Sequence, residues 1–317
     1  MTLQETLKSR DTEEWIDLVF YRPIGYYWAL FFKRINVTPN AVSILSIFLG
    51  VAAGVLFYYP NLGLNSLGMV LLIWANTYDS ADGQLARMTN NYSRLGRLLD
   101  GLASNCWFVT IYFAIGFRLS AEWGIAIWVL AVITGYFHIK QAAMADYLRN
   151  FHLLFIKDNK KSEFDDAAKL KQQMQKLEWK TDFSEKALMM YYANYTESQE
   201  KWTPKLQAFR RILGDSFLEA NRPTDRTETK AVGDFGQSDH WDTLKEEFRK
   251  ASKPMMKYTN ILSFNTRVMA LFICLITGYP WVYFLFELTV LNSVLLYMLF
   301  KYEAICEMFT FRLRGND

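Results

Sequence analysis

Hydrophobic residues in this chain fall into six runs, each about 20 residues long and therefore long enough to cross a bilayer as a helix. The runs lie near residues 41–59, 66–84, 98–117, 122–145, 260–279 and 281–300. They predict an all-α integral membrane protein with about six transmembrane helices. Between the fourth and fifth runs there is no spanning segment and charges of both signs occur, which predicts a soluble insertion.

The insertion has its own helical pattern. Apolar residues recur at helical spacing within residues 165–178 and 184–213, which predicts two or three helices. Residues 221–239 hold one proline and two glycines among polar side chains and predict a loop. Because the insertion contains no recognisable catalytic constellation, we interpret it as a cap over the cytosolic face or a dimer contact.

The first 37 residues mix aromatic and basic side chains. This mixture is typical of an amphipathic helix that lies in the lipid headgroup layer, although a soluble helix packed on the insertion would look similar. Pro23 and Gly25 predict that this helix is broken in two. Thr38 as N-cap, followed by Pro39 in the first turn, predicts the start of the first transmembrane helix.

These patterns divide the chain into four segments. Residues 1–37 form the interfacial segment, and residues 38–150 form transmembrane helices one to four. Residues 151–257 form a cytosolic helical insertion, and residues 258–317 form the last two transmembrane helices with a cytosolic tail.

The composition agrees with this class of protein, and the distribution of charge predicts how the chain is oriented in the membrane. The chain is 51% hydrophobic and 16% aromatic, as expected for a membrane protein with a sizeable soluble part, and its net charge is only +3. The connection after the second run holds Arg87, Arg94 and Arg97, whereas the loops on the opposite side hold only Arg118. Because cytoplasmic loops are enriched in Lys and Arg, both termini and this connection are expected to face the cytoplasm. Nothing in the sequence indicates a nucleic-acid partner.

Three carboxylates stand at the predicted cytosolic ends of the second and third helices. Asp79 and Asp82 are three residues apart and share one helix face, and Asp100 on the next helix can complete an oxygen cage. Such a cage suits a hard divalent cation, either Mg²⁺ or Mn²⁺. Salt bridges to the nearby arginines are the alternative, but a bridge network has no need of small residues at fixed offsets. Here small residues occupy positions 83, 86 and 96, where they would let a flat ligand lie against backbone.

The full pattern resembles the signature of the CDP-alcohol phosphotransferase family, D-x-x-D-G-x-x-A-R-x8-G-x3-D-x3-D. Seven of its eight fixed positions are present, from Asp79 to Asp100. The resemblance implies that Asp79, Asp82 and Asp100 bind the metal. It also implies contacts to a CDP-linked donor, either a lipid or an alcohol, from Asp79, Gly83, Ala86, Arg87 and Gly96. An acceptor hydroxyl then attacks the donor and CMP leaves.

The eighth position departs from the family. Ser104 stands where the family has the aspartate that acts as catalytic base, and Asn105 follows one residue late. A serine hydroxyl is a poor base at neutral pH. Position 105 points about 100° away from position 104, so Asn105 enters the site only if the helix is overwound or bulged. Three explanations stay open: an aspartate natural to position 104 or 105 has been replaced, the chain uses another base, or it is a pseudoenzyme.

Three basic residues are candidates for the acceptor side. Lys140 and Arg149 belong to the fourth predicted span, and Arg267 lies just inside the fifth. Several cations would suit a phosphorylated alcohol, so inositol or inositol phosphate is the expected acceptor. Transfer from CDP-ethanolamine or a similar donor to diacylglycerol or ceramide is the alternative within the family. The alternative of another class is a non-catalytic scaffold that binds a CDP-lipid. The expected partners also include membrane lipids and a second copy of the chain in a homodimer.

Overall fold

The computed structural model describes residues 9, 11–91, 94–156, 166–179, 182–220 and 238–314. For residues 94, 95, 97–102, 184, 188, 215–220 and 238–241 it describes the backbone only. Every regular element in these ranges is a helix, which confirms the predicted all-α class. The predicted loop at 221–239 lies almost entirely outside the described residues.

Thirteen α-helices follow one another within these ranges. A π-helical segment, Asp17–Tyr21, precedes α1, a short 3-10 turn, Lys253–Met255, precedes α10, and a second π-helical segment, Glu287–Leu291, joins α12 to α13. The α-helices are α1 (Arg22–Arg34), α2 (Pro39–Leu56), α3 (Leu62–Thr89), α4 (Arg94–Trp123), α5 (Ile125–Leu153), α6 (Ala167–Gln175), α7 (Phe183–Lys201), α8 (Pro204–Ala220), α9 (Ser238–Ser252), α10 (Met256–Ile261), α11 (Phe264–Ile276), α12 (Trp281–Phe286) and α13 (Asn292–Arg314).

Four helical stretches in the described ranges are both long and apolar enough to span a membrane. They are Pro39–Leu56, Ile125–Leu153, Asp242–Ile276 and Trp281–Arg314. Helices α3 and α4 have 28 and 30 residues, so they are long enough to span as well. Their composition is more polar because they carry the charged motif, and the predicted six spans are therefore an approximate count.

The chain forms two compact units. The first comprises Met1–Gln141 and Asn260–Ser293, and the second comprises Ala142–Thr259 and Val294–Asp317. The last turns of α5 and most of α13 therefore belong to the same unit as the insertion.

In the first unit, α2 packs closely against α4. A Cβ atom on Gly50 would lie 2.0 Å from the Trp107 ring, and one on Gly54 would lie 2.8 Å from the side chain of Thr110. Only glycine permits this approach. Trp107 is almost fully buried and its indole N–H donates to the backbone oxygen of Ser46 at 3.1 Å. The same core includes residues of α3, α5, α11 and α12.

The N-terminal segment differs from the prediction in one respect. Pro23 and Gly25 do not break the helix, because α1 runs unbroken from Arg22 to Arg34. Pro23 sits in the first turn, where the missing N–H costs nothing. Gly25 is instead a contact point, since a Cβ there would lie 3.1 Å from both Ser80 Oγ and Gln84 Nε2 of α3. The start of α2 is as predicted, with Thr38 accepting the N–H of Ala41 at 3.3 Å.

In the second unit, four described helices, α6 to α9, belong to the insertion, rather than two or three. A buried aromatic cluster joins α8 and α9 to the end of α5 and to α13; it consists of Phe151, Phe155, Phe209, Phe248, Tyr302 and Phe309. The Glu303 carboxylate accepts the backbone N–H groups of Lys205 and Leu206 at 2.8 and 2.9 Å. It thereby satisfies donors that the first turn of α8 leaves open.

Candidate functional site

Helix α3 carries the first half of the motif on its last three turns. The helix begins after Asn61, whose side chain accepts the N–H of Leu64 at 3.0 Å, and it ends before Asn90, which adopts the left-handed conformation with φ 53°. Because α3 is continuous between these caps, Asp79, Asp82, Gly83, Ala86 and Arg87 share one broad face.

Asp82 is the more buried of the two described motif carboxylates, at 3% exposure. It accepts a short hydrogen bond from the hydroxyl of Ser43 on α2. The backbone oxygen of Ser43 in turn accepts the hydroxyl of Ser46 at 2.7 Å, and the backbone oxygen of Ser46 accepts the Trp107 indole N–H. These three hydrogen bonds therefore connect α3 to α4 through α2.

Arg87 lies across the face of Gly83. Both terminal nitrogens of its guanidinium group are 3.5 Å from the place where a Cβ on Gly83 would be. These are ordinary van der Waals distances, so Arg87 packs beside position 83 without excluding a small side chain there. Asp79, Ala86 and Arg87 are each partly exposed, so this face of α3 remains open to a ligand.

The second half of the motif lies on α4. Gly96, Ser104 and Asn105 are half-buried, and the side chain of Asp100 is outside the described part of the chain. Helix α4 is an uninterrupted α-helix, so it has no bulge of the kind that would turn Asn105 into the place of residue 104. Ser104 lies one turn before Trp107, the residue that holds α4 to α2.

Helix α1 packs beside the motif face of α3. The side-chain amide of Gln84, next to Gly83, donates to the backbone oxygen of Arg22 at 3.1 Å. In the preceding π-helical segment, Tyr21 packs edge-on against Phe264 with ring centroids 6.4 Å apart. Burial raises the pKa of the Tyr21 hydroxyl to about 12, so this group is uncharged at neutral pH. One edge of the motif face is therefore bounded by α1 and the other by α2.

The three predicted acceptor-side residues have different surroundings. In the first unit, Lys140 is half-buried, with its ammonium 5.8 Å from the centre of the Tyr136 ring. Arg149 belongs to the second unit and is also half-buried. Arg267, in the first unit, is 1% exposed.

All five N–H groups of Arg267 are used within the protein. Two bonds of 3.2 Å reach the backbone oxygen of Leu262, and one of 2.8 Å reaches the side-chain oxygen of Gln141. The remaining nitrogen donates to Glu287 at 2.5 Å and to His138 Nδ1 at 2.8 Å. A guanidinium has five donors, so a phosphate acceptor would have to displace one of these partners. The acceptor role of Arg267 stays a prediction.

Glu287 is the centre of this buried network. Its carboxylate also accepts the hydroxyl groups of Tyr283 and of Tyr112, the latter at 2.9 Å. His138 and Gln141 as partners of Arg267, and Tyr112 as a partner of Glu287, were not predicted from the sequence, where their signal is their polarity within apolar runs. It also missed Ser43 and Gly50, which hold the motif helices together.

Among the described side chains no group of three or more His, Cys, Asp or Glu residues is placed to hold a metal ion. The predicted triad has only two described members, since the Asp100 side chain is not among them. Asp79 and Asp82 provide oxygen donors on one helix face, which is the ligand type that Mg²⁺ and Mn²⁺ prefer. The described pair therefore fits part of a divalent-cation site.

Comparison with known families gives the same assignment for this part of the chain. Residues 36–148 match the family described as CDP-alcohol phosphatidyltransferase. This segment, about a third of the chain, is therefore similar to CDP-alcohol phosphatidyltransferases. The matched domain includes α2, α3 and α4, the helices that carry the motif and its supporting contacts.

The domain is also similar to several bacterial proteins. A protein of Mycobacterium tuberculosis (strain H37Rv) named "Putative cardiolipin synthase" is 29% identical over 91 residues, which is 29% of this chain and 43% of that protein. A protein of the same name from Mycobacterium bovis matches to the same extent. An uncharacterized protein of Aquifex aeolicus is 29% identical over 109 residues, which is 33% of this chain and 54% of that protein. The chain therefore spans about half the length of these relatives.

Proposed function

We propose that this protein is a membrane enzyme that transfers a phosphatidyl or related phospho-group from a CDP-linked donor to a polar alcohol and releases CMP. The observation that carries the proposal is the Asp79–Asp82 face of α3, whose buried member is held by Ser43. It lies within a domain of a phosphotransferase family, and its donor set matches the metal requirement of the chemistry.

We assign the following roles in the proposed reaction to the residues of this chain. Asp79, Asp82 and Asp100 would hold Mg²⁺ or Mn²⁺, which when bound neutralises charge on the pyrophosphate of the donor. Arg87, lying across Gly83, supplies a further positive charge next to the donor. The backbone at Gly83, Ala86 and Gly96 gives close access to the cytidine. Ser104 occupies the position nearest the acceptor hydroxyl, where it can bond that hydroxyl but is a weak base.

For the acceptor we propose inositol or inositol phosphate, because Lys140, in the same unit as the motif, provides positive charge for a phosphorylated alcohol. Two other acceptor classes remain as outcomes of the test. One is diacylglycerol or ceramide with CDP-ethanolamine as donor. The other is the acceptor of a cardiolipin-synthase reaction, because the mycobacterial relatives are named putative cardiolipin synthases. We further propose that the termini and donor site face the cytoplasm, on the basis of the Lys and Arg distribution. We also propose that the protein is a homodimer.

The serine at position 104 favours a second candidate function, a scaffold that binds a CDP-lipid without turnover. One measurement distinguishes the two functions: the release of radiolabelled CMP by purified protein in lipid nanodiscs. The enzyme is expected to release CMP with one donor–acceptor pair of the panel and to lose this release in EDTA. Metal-dependent donor binding without CMP release, in this chain and in S104D and N105D, would support the scaffold. Absence of both binding and release would contradict both.

A further inference from the structure

A pair of tyrosines and a pair of lysines meet on the surface of the second unit, where α10 approaches α13. The rings of Tyr258 and Tyr297 pack edge to face, with centroids 5.0 Å apart and an interplanar angle of 60°. The ammonium of Lys257 lies 4.8 Å from the centre of the Tyr258 ring, and that of Lys301 lies 5.8 Å from the centre of the Tyr297 ring. We refer to Lys257, Tyr258, Tyr297 and Lys301 as the Lys–Tyr cluster.

The Lys–Tyr cluster carries two positive charges, and no acidic side chain in the described part of the chain balances them. Among the described residues neither Lys257 nor Lys301 has a carboxylate partner. Other lysines of this unit do have one; the pairs are Lys171–Glu197, Lys205–Glu307 and Lys250–Glu246. Glu303, close to Lys301 in sequence, is turned to the start of α8. Two like charges in one cluster repel each other, so an anion between them would be stabilised.

The surface next to the Lys–Tyr cluster is apolar. Leu296 and Phe300 precede Tyr297 and Lys301 by one position each on α13, and they are 62% and 71% exposed. Both helical stretches that bear the cluster are apolar enough to cross a membrane. Two ammonium groups with two tyrosine hydroxyls suit a phosphate oxygen, whereas Leu296 and Phe300 suit a hydrocarbon chain.

We propose that the Lys–Tyr cluster binds the phosphate of an anionic phospholipid, whose acyl chains lie along Leu296 and Phe300. The site is separate from the motif on α3 and α4, and its occupancy does not depend on turnover there. Lysines and tyrosines at membrane edges also contact headgroups without selectivity. A defined site differs from such general contact because it retains one lipid per chain and selects an anionic headgroup.

The test is native mass spectrometry of the full-length chain, released from detergent micelles that contain either phosphatidylglycerol or phosphatidylcholine. We expect one retained phosphatidylglycerol per chain, and roughly tenfold weaker retention in K257Q/K301Q because each lysine near a lipid surface contributes to anionic-lipid binding. The charge-preserving variant K257R/K301R should retain the lipid. The matched control K176Q/K186Q removes two charges from the α6–α7 region, including a lysine 5.1 Å from the Trp179 ring, and should leave retention unchanged.

Three results would overturn the proposal. The first is equal retention of phosphatidylglycerol by K257Q/K301Q and by the unchanged protein, with both melting at the same temperature. The second is equal retention of phosphatidylcholine and phosphatidylglycerol by the unchanged protein. The third is complete displacement of the lipid by inorganic phosphate, which would show that the site recognises a free anion and makes no use of the acyl chains.

Discussion

The hydroxyl of Ser43 donates a hydrogen bond to the buried carboxylate of Asp82. This bond joins α2 to α3 at the position where the motif places a metal ligand, and it fixes the carboxylate before any ligand arrives. A buried carboxylate is costly unless it is bonded, so Ser43 supports both the fold and the site.

We expect S43A to weaken binding of the CDP-linked donor about tenfold or more, because a hydrogen bond to a charged group contributes about 1.5–3 kcal/mol. The measurement is the dissociation constant for CDP-diacylglycerol in Mg²⁺. S120A is the matched control, since the hydroxyl of Ser120 donates only to the backbone oxygen of Phe117 in its own helix. Unchanged donor affinity in S43A would mean that the bond does not serve the site.

The close approach of α2 and α4 predicts a strong effect of a single methyl group. In G50A the new Cβ would collide with the Trp107 ring, and overpacking of this kind costs about 1–3 kcal/mol. The measurement is thermal unfolding of the protein in detergent. G135A is the control, because a Cβ there would be 3.6 Å from Tyr112, an ordinary van der Waals distance. If both variants unfolded at the same temperature as the unchanged protein, the described packing of Gly50 on Trp107 would be wrong.

The buried pair of Arg267 and Glu287 is expected to act in folding rather than in acceptor binding. Removing one partner of a buried ion pair typically costs about 3–5 kcal/mol, so E287Q and R267M should be strongly destabilised. R312Q breaks the largely exposed pair of Arg312 with Glu247 and should change stability by about 1 kcal/mol or less. An R267M protein with normal thermal stability but a raised KM for the acceptor would contradict this expectation and support the acceptor role.

Position 104 is expected to limit turnover. Because α4 has no bulge, a carboxylate introduced by S104D would take the place of the family's base, and a positioned base contributes about 10²–10⁴ in rate. We therefore expect S104D to raise CMP release and N105D to change it little. The measurement is the rate of CMP release at saturating donor. A rise in N105D alone would show that residue 105, and not residue 104, holds the base position.

The sequence predicted the elements and the motif better than their connections. Long apolar runs and the Thr38–Pro39 start of α2 depend on local chemistry, so they were visible without tertiary information. The role of Gly25 was not visible, because a glycine within a helical pattern signals either a break or a close contact, and only the packing of α1 on α3 decides between them.

The contacts within the candidate site were likewise not predictable from the sequence. The motif residues were found by their spacing, whereas Ser43 lies 39 positions before Asp82 and carries no local sign of pairing with it. Arg267 was interpreted as a substrate contact because a lone charge in an apolar span usually indicates function. Its partner Glu287 lies 20 residues away, and no pattern in the sequence links the two.

The central claim is that the face of α3 with Asp79 and Asp82 binds a CDP-linked donor through a divalent cation. Equilibrium binding of radiolabelled CDP-diacylglycerol to the purified protein tests it without requiring turnover. The account predicts saturable binding in Mg²⁺ that is lost in EDTA and in D82N, and that is kept in E122Q, which makes the same change at an exposed position of α4. Binding that is equal in Mg²⁺, in EDTA and in D82N would contradict the account.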